Sequence, residues 1–569
     1  MKPNLGKIGS EQRIGLLIFM GVFIVSMVFA GYTHHAWEDY YITYRVSKNL
    51  ATGQGPVYTI GERVQAFTSP LNTLLPAFLI IITGNTSDQL VLWLFRILCC
   101  SLLGAAAVLL FNAARKNSLT LIPVAVLIGM FAFDNKIIDF SINGQEVAFM
   151  MFFIALVLNA LTTPSRWMIL KLGLGWAGLM WTRPDGFIYF GAIALGFLLF
   201  NGGKPIGQSR RDLLKIFFLA GITTAVLYLP WFLWSWSYFG SPIPNTIIAK
   251  GYTAKNYTPN ILSINFGQLI LDFILFPVQL LLGGTSANKT FLPNNAVPFG
   301  GWHFSVMVFS TYLSYLCAIY WCFPFGNLQA RAVSFAFMIC HFYLTYIAAY
   351  SASWYIPNCA ILAIFVFAYF LQQLLNLSSL LKIKDTLNTK RLINFVRISA
   401  VFVVSVTLLL TVCSAYQLRI QQREVEDGNR KKIGLWLREH AASLSDSVFL
   451  EPLGYIGYFS QLKMLDYPGL CAPEVIAAQK MLQSSSWAML IRQLHPNWLV
   501  LRPEEANTIY RADPSLTQQY LQAKIFDASK RIESYHWLPG RGYLTHDQTF
   551  IVFRLKSNIA DQNQPQNQK

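Results

Sequence analysis

The chain is poor in charge. Only 12% of its 569 residues are Asp, Glu, Lys or Arg, while 54% are hydrophobic; an ordinary soluble domain has about 25% and 45–50%, so a soluble globule is excluded. Acids are the scarcer sign, 27 against 44 basic residues, for a formal charge of +17. In so apolar a chain that excess reads as basic loops held against an anionic membrane face, not as a nucleic-acid surface. Cysteine is sparse as well: Cys99, Cys100, Cys317, Cys322, Cys340, Cys359 and Cys413 lie in or beside apolar runs and Cys471 alone lies in the polar part. Neither a disulfide framework nor a paired-CxxC zinc site is implied, and these thiols read as packing residues. The sequence lacks a GxxxxGK[ST] phosphate loop, and GQG at 53–55 lacks the third glycine and strand-to-helix context of a dinucleotide site. It also lacks an evident cleavable leader, so the first apolar stretch reads as a retained anchor.

What the chain does have is long apolar runs. Segments able to cross a bilayer lie at 14–32, 90–112, 119–133, 146–163, 168–182, 187–200, 213–236, 303–323, 330–349, 354–376 and 394–415, about eleven in all. Two more apolar stretches, 71–83 and 261–282, are harder to place. If the N-terminus is cytoplasmic and 71–83 does not cross, every basic cluster falls inside: Arg115 with Lys116, Arg166 with Lys171, Lys204 with Arg210 and Arg211, Arg331, and Lys382, Lys384, Lys390 and Arg391. That is what the positive-inside bias demands, and 71–83 then suits an interfacial or re-entrant helix. On this parity residues 33–88, 134–145, 237–302 and everything after 415 lie outside the cytoplasm.

The expected architecture is an α-helical polytopic protein of the cytoplasmic (inner) membrane over 1–415, an extracytoplasmic α/β or α+β domain at 416–556, and a disordered polar tail at 557–569. Within the soluble domain, β-rich runs at 447–450 and 498–501 and helical patterns at 474–482 and 487–494 mark its elements.

Ionisable clusters fall in the outer loops. HHAWEDYYITYRVSKNL at 34–50 places Glu38 and Asp39 directly after the first span, a depth at which charge usually has a reason. As a helix this segment lines up Trp37, Tyr40, Tyr41 and Tyr44 in an aromatic stripe suited to the membrane interface. Glu38 and Arg45 share another face and are spaced to pair, which leaves Asp39 as the freer base; a solvated ion cluster is the structural alternative. Glu146, after NGQ, follows Asp134 and Asp139 in a second acidic loop able to converge with the first. One carboxylate then deprotonates an acceptor hydroxyl while another, or a divalent cation held by Asp39 and Glu146, steadies the developing charge. His34 and His35 are adjacent and cannot readily share an ion, so they read as interfacial.

RPDG at 183–186 sets Arg183, a bidentate oxyanion clamp, beside Asp185 at an outer span end; a cap between the two is the structural alternative. Lys250, in PNTIIAK, offers a second cation to the same anion. An outward-facing site without a nucleotide fold points to a donor delivered through the membrane, and a lipid-linked phosphosugar fits.

The runs EDYYITYRVSKNLATGQG and YTIGERVQAFTSPL resemble the first-loop signature of polytopic GT-C glycosyltransferases, in particular the AftB-like arabinofuranosyltransferases. The likeness continues through NGQE at 143–146, RPDG, YFGSPIPNTIIAK at 238–250 and EPLGYIGYFSQLKMLDYPGLCAPEV at 451–475. It implies the GT-C fold, a first-loop acid as catalytic base, falling on Asp39 or its neighbour Glu38, and a polyprenyl-phosphate sugar donor whose phosphate lies near Arg183 and Lys250. The chain departs from that pattern at Glu38, where Asp is common, at Gln145, where GLE is usual, at Asn72, where Trp often follows TSPL, and at Trp354, where Arg often precedes Tyr. The particular sugar is therefore not inherited from the resemblance.

Together these residues support transfer of a sugar, arabinofuranose or similar, from a polyprenyl phosphate to a hydroxyl of an envelope glycan, glycolipid or glycoprotein. A transporter or flippase of a lipid-linked saccharide would place charge along a path at mid-depth, and a non-catalytic assembly protein needs no acid.

Overall fold

The computed structural model describes residues 10–200, 209–254, 266–283, 285–293, 302–348, 352–380 and 386–556. Its apolar body is built of α1 (Ser10–Thr33), α2 (Glu38–Ala51), α3 (Pro70–Ile82), α4 (Asp88–Lys116), α5 (Leu121–Phe133), α6 (Asn135–Ile142), α7 (Val147–Thr162) and α8 (Met168–Thr182). It continues with α9 (Gly186–Phe200), α10 (Arg210–Phe239), α11 (Asn245–Ala254), α12 (Phe266–Leu282), α13 (Phe304–Ile319), α14 (Leu328–Phe342), α15 (Pro357–Leu380) and α16 (Thr386–Gln421). Among the described residues eight helical segments are long and apolar enough to cross a membrane on those grounds alone, so the chain is a multi-pass, mainly helical membrane protein.

One cavity gathers Asp39, Asn72, Glu146, Lys250, Trp354 and Glu451, which therefore share one face of the body. The chain leaves and returns to this face through the helix pairs α4 with α5, α7 with α8, α9 with α10, α13 with α14, and α15 with α16. Against the eleven crossings expected from the sequence, eight helices among the described residues are long and apolar enough, or nine if α5 and α6 form one bent span. A crossing by α3 or α12 alone would carry a cavity wall to the opposite face. α12 is apolar enough to span, and it packs on the C-terminal end of α14, with Phe276 against Phe342 and Tyr346. Arg115, Lys116, Arg166, Lys171, Arg210, Arg211, Arg331, Lys390 and Arg391 all fall at crossing ends away from the cavity; Lys204, Lys382 and Lys384 lie outside the described residues.

Short crossings have a local reason. The 16 residues of α7 rise about 24 Å at 1.5 Å each, less than the roughly 30 Å of a hydrocarbon core. Ala148, Met150, Met151, Ile154, Ala155, Val157, Leu158 and Leu161 are all buried, so α7 is surrounded by protein and has no lipid thickness to match. At the other extreme α10, 30 residues long, buries only Leu213, Ala220, Thr224 and Ser235. It starts in a Ser209–Asp212 capping box and ends at Gly240 with φ 73°, the left-handed stop that glycine tolerates.

No linker separates the spans from the C-terminal domain. α16 runs past residue 415 and continues through a π-helical turn (Gln422–Arg430) into α17 (Lys431–His440), so the boundary expected at 415/416 falls inside one continuous helical rod. Beyond it come β1 (Ser447–Leu450), α18 (Leu453–Ser460), β2 (Lys463–Asp466), α19 (Pro473–Leu482), α20 (Trp487–Leu494), β3 (Trp498–Leu501), β4 (Tyr520–Asp527) and β5 (Thr549–Leu555). The strands and helices expected at 447–450, 498–501, 474–482 and 487–494 are present to within a residue. The sheet order is β2-β1-β3-β5-β4, parallel among β2, β1 and β3 and antiparallel at β5 and β4. The expected tail at 557–569 lies outside the described residues.

The aromatic stripe of α2 serves a different purpose from the one expected. Tyr40, Tyr41 and Tyr44 are 3%, 7% and 1% exposed; they do not lie in the membrane interface, for Tyr41 and Tyr44 pack on Tyr455, Tyr458 and Phe459 of α18 and Tyr40 packs on Tyr41 and Tyr44. Periodicity identified a covered face, and the cover is the C-terminal domain. Both glycines of GYIGY follow from this contact: a methyl at Gly454 would overlap the Glu38 carbonyl, and one at Gly457 would overlap the Tyr58 hydroxyl.

Candidate functional site

The cavity, about 560 Å³, has two walls. The membrane-side wall includes Asp39, Asn72, Gln145, Glu146, Lys250, Trp354 and Tyr355, and the C-terminal domain contributes Glu451, Tyr467, Pro468, Leu470 and Trp487. The turn NGQE brings the second acidic loop to the first. Gly144 sits at φ 99° with no room for a Cβ beside the Tyr40 ring, and the Asn72 amide donates to its carbonyl at 2.9 Å, so Gln145 and Glu146 are held against Asp39. Asn72, Gln145 and Trp354, three of the four departures from the arabinosyltransferase pattern, are all on this wall.

The structure separates the two candidate bases. Asp39 lines the cavity, whereas Glu38 is not on its wall; the Glu38 carboxylate accepts the Gly454 amide at the start of α18. Burial pushes the Asp39 carboxyl above its usual range; Lys250 and a Gln145 hydrogen bond pull it back, and Glu146 and Glu451 push it further up. Burial likewise holds Glu38 well above the usual carboxylate range despite Arg430. For Lys250 burial opposes the charge, but Tyr355, Asp39 and Glu146 outweigh it and hold the ammonium above the ordinary lysine value. Its Nζ lies 5.8 Å from the Trp354 ring centroid.

Arg45 does not pair with Glu38, contrary to expectation. Its guanidinium donates to the carbonyls of Gly457, Gln461 and Leu462 at 2.8–3.2 Å and stacks 4.3 Å from the Tyr58 centroid, fastening α2 to the C-terminal domain. Helical spacing set the two residues on one face, but carbonyls more than 400 residues away in sequence took the donor.

Arg183 stands one layer behind the cavity. It reaches Glu146 at 2.5 Å and Asp185 at 2.8 Å, and its side chain is 6% exposed. Its Cζ also stacks 4.1 Å from the centroid of Tyr355, whose ring is part of the wall. Both ends of the fork are thus occupied by carboxylates.

The remaining acids and histidines of the outer loops are structural. Asp134 caps α6 through the amides of Lys136 and Ile137, Asp139 accepts from the Trp37 indole and the Asn143 amide, and His35 is buried with Nδ1 on Gln422. Among the described residues no three His, Cys, Asp or Glu side chains are grouped to hold a metal. The Asp39 and Glu146 pair has the Lys250 ammonium beside it, so the donor set does not fit a divalent cation.

Glu451 is the site residue that sequence reasoning missed. It follows β1 at the carboxyl end of a parallel strand, as Tyr467 follows β2 and Arg502 follows β3, the end of an open parallel sheet at which ligands gather. An acid directly after an apolar β-run, in EPLG, was the available signal. Below it, Asp466 accepts the amides of Gly469, Leu470 and Cys471 and so fixes the Tyr467–Leu470 turn on the wall.

Comparisons with known proteins agree with the resemblance seen in the sequence. Residues 416–551 match a family described as a domain of unknown function (DUF8728). The chain is 28% identical over 249 residues to a terminal β-(1→2)-arabinofuranosyltransferase of Corynebacterium glutamicum, covering 39% of this chain and 34% of that protein. It is 24% identical over 308 residues to the enzyme of that name from Mycobacterium tuberculosis, covering 48% of this chain and 46% of the relative. The matches therefore span about a third and somewhat under half of the relatives' own lengths. Among solved structures, the oligosaccharyltransferase AglB of Archaeoglobus fulgidus, in complex with an inhibitory peptide and a dolichol-phosphate, aligns at a TM-score of 0.49 and 13% identity, over 85% of this chain and 69% of that one. ArnT of Cupriavidus metallidurans, bound to undecaprenyl phosphate, aligns at 0.48 and 10%, over 96% and 99%. Over the aligned parts the chain is similar to arabinofuranosyltransferases.

Proposed function

We propose that this arabinofuranosyltransferase-like membrane protein transfers a sugar from a polyprenyl phosphate to a hydroxyl of an envelope glycan, glycolipid or glycoprotein, at the outer face of the cytoplasmic membrane. The observation that carries the reading is one cavity holding a half-buried carboxylate and a half-buried ammonium, Asp39 and Lys250, at the end of the helical body opposite its basic loop clusters. By the positive-inside bias that end faces out of the cytoplasm, and the C-terminal domain with it.

Asp39, its carboxyl raised by burial, accepts the proton of the acceptor hydroxyl as that oxygen attacks the anomeric carbon. The bond from that carbon to the phosphate oxygen breaks, and the Lys250 ammonium neutralises the charge growing on the leaving phosphate. Arg183 supports both by holding Glu146 and stacking beneath Tyr355. Charges grouped at one end of the body, and not along its axis, favour transfer over translocation.

Purified protein in nanodiscs, given decaprenyl-phosphoarabinose and then other polyprenyl-linked sugars with an arabinofuranosyl acceptor, tests this. Transfer that is lost in Asp39→Asn is expected. No transfer from any such donor would contradict the reading, and undiminished transfer by Asp39→Asn would remove Asp39 as the base.

A further inference from the structure

Among the described residues, the wall that the C-terminal domain gives to the cavity carries no cation free for a phosphate. Arg502 is held by Asp547, Glu505 and Glu451 at 2.6–2.8 Å, and Lys463 bridges Glu62 and Glu474. What the wall offers instead is an aromatic surface and one acceptor. Trp487 lies 5.1 Å from Tyr467, ring centre to ring centre, and is backed edge-on by Phe449 at 5.5 Å. Glu451 is held through one carboxylate oxygen, Oε2, by Arg502. No hydrogen bond within the described residues occupies its Oε1, and its side chain is 46% exposed.

A fixed carboxylate with an open oxygen accepts hydroxyl protons and repels anions. A flat indole face supports the C–H face of a sugar ring, and Trp and Tyr provide that contact area with little rotamer freedom to lose. The geometry points to an acceptor-sugar subsite on the C-terminal domain: Trp487 and Tyr467 stack a neutral sugar ring of the acceptor, and Glu451 hydrogen-bonds one of its hydroxyls. This rests on the transferase reading of the cavity and adds to it a division of labour, the donor phosphate on the membrane-side wall and the acceptor glycan on the domain wall. Asp39, which is in electrostatic contact with both Lys250 and Glu451, lies between the two.

Binding measured without a donor separates this subsite from the transfer reaction. The probe is an octyl arabinofuranosyl disaccharide, titrated into full-length protein in nanodiscs and followed by saturation-transfer NMR and calorimetry. Glu451→Gln replaces a charge-assisted hydrogen bond by a neutral one of about half the strength and should weaken binding about tenfold. Trp487→Ala should weaken it at least as much, and Trp487→Phe, which keeps an aromatic face and tests for simple misfolding, should recover most of the loss. Equal binding by wild type, Glu451→Gln and Trp487→Ala would overturn the subsite, as would equal competition by a serine-containing peptide. Absence of transfer from every polyprenyl donor, with the expected binding pattern intact, would sink the transferase reading and still uphold a sugar-binding wall.

Discussion

The two walls of the cavity hold their charges differently. On the membrane side the charges answer one another: Lys250 is half-buried beside Asp39 and Glu146, and Glu146 is itself clamped by Arg183 against Asp185. On the domain side Glu451 is half exposed and fixed from behind by Arg502, itself tied to Asp547 and Glu505. A buried, mutually balanced set shifts pKa values and suits proton transfer and charge neutralisation. A half-exposed acid on a stiff support suits recognition. The comparison assigns chemistry to one wall and selection of the acceptor to the other.

Breaking the membrane-side wall should have the largest effects. Asp39→Asn should lower kcat by about 10²- to 10⁴-fold, the range of a general base. Lys250→Ala should cost on the order of 10² to 10³ in transfer rate, as loss of one preorganised electrostatic contact does; measured by single turnover, the loss should appear in the chemical step.

Arg183 sharpens the comparison because the fork and the phosphate clamp predict opposite outcomes. As a buried fork, Arg183→Ala leaves Glu146 and Asp185 uncompensated and should destabilise the protein by about 3–5 kcal/mol, with Asp185→Asn impaired in the same direction and donor KM nearly constant. A donor KM raised steeply in Arg183→Lys at unchanged thermal stability would return Arg183 to the phosphate. Gly454→Val tests the seam between the walls: the added side chain meets the Glu38 carbonyl, so limited proteolysis should cut the C-terminal domain sooner, and transfer should fall with it.

Much of this arrangement could be read in the sequence because hydrophobic length and basic loops are local signals. Counting apolar runs located the helices of the apolar body, though eight of them, or nine with the bent pair, are long enough to cross by themselves against the eleven expected, and Asp39, Glu146 and Lys250 stood out as charges at the ends of expected spans. The cavity brings those three together. Arg45 and the tyrosine stripe were harder for the same reason as each other: α2 fixes which side chains share a face, but what meets that face is α18, some 400 residues on. Glu451 was hidden inside a soluble domain whose strands were located without their order, and only the parallel pairing of β2, β1 and β3 shows that its carboxyl end meets the membrane part. The continuity of α16 into α17 was masked by the drop in hydropathy near residue 415, which marks the exit from the apolar body and not an end of the helix.

The most direct test of Asp39 as a base set between two unlike walls is the pH dependence of kcat/KM for sugar transfer. Because burial raises its carboxyl, the working, ionised form is lost as pH falls through a value above that of an ordinary aspartate, and the acid limb of the profile should lie there. Removing the positive neighbour in Lys250→Gln should move that limb to higher pH. Removing the negative neighbour in Glu451→Gln should move it to lower pH, although the two variants sit on opposite walls. A limb that stays in place in both variants, or that persists when Asp39 itself is replaced, would contradict the account.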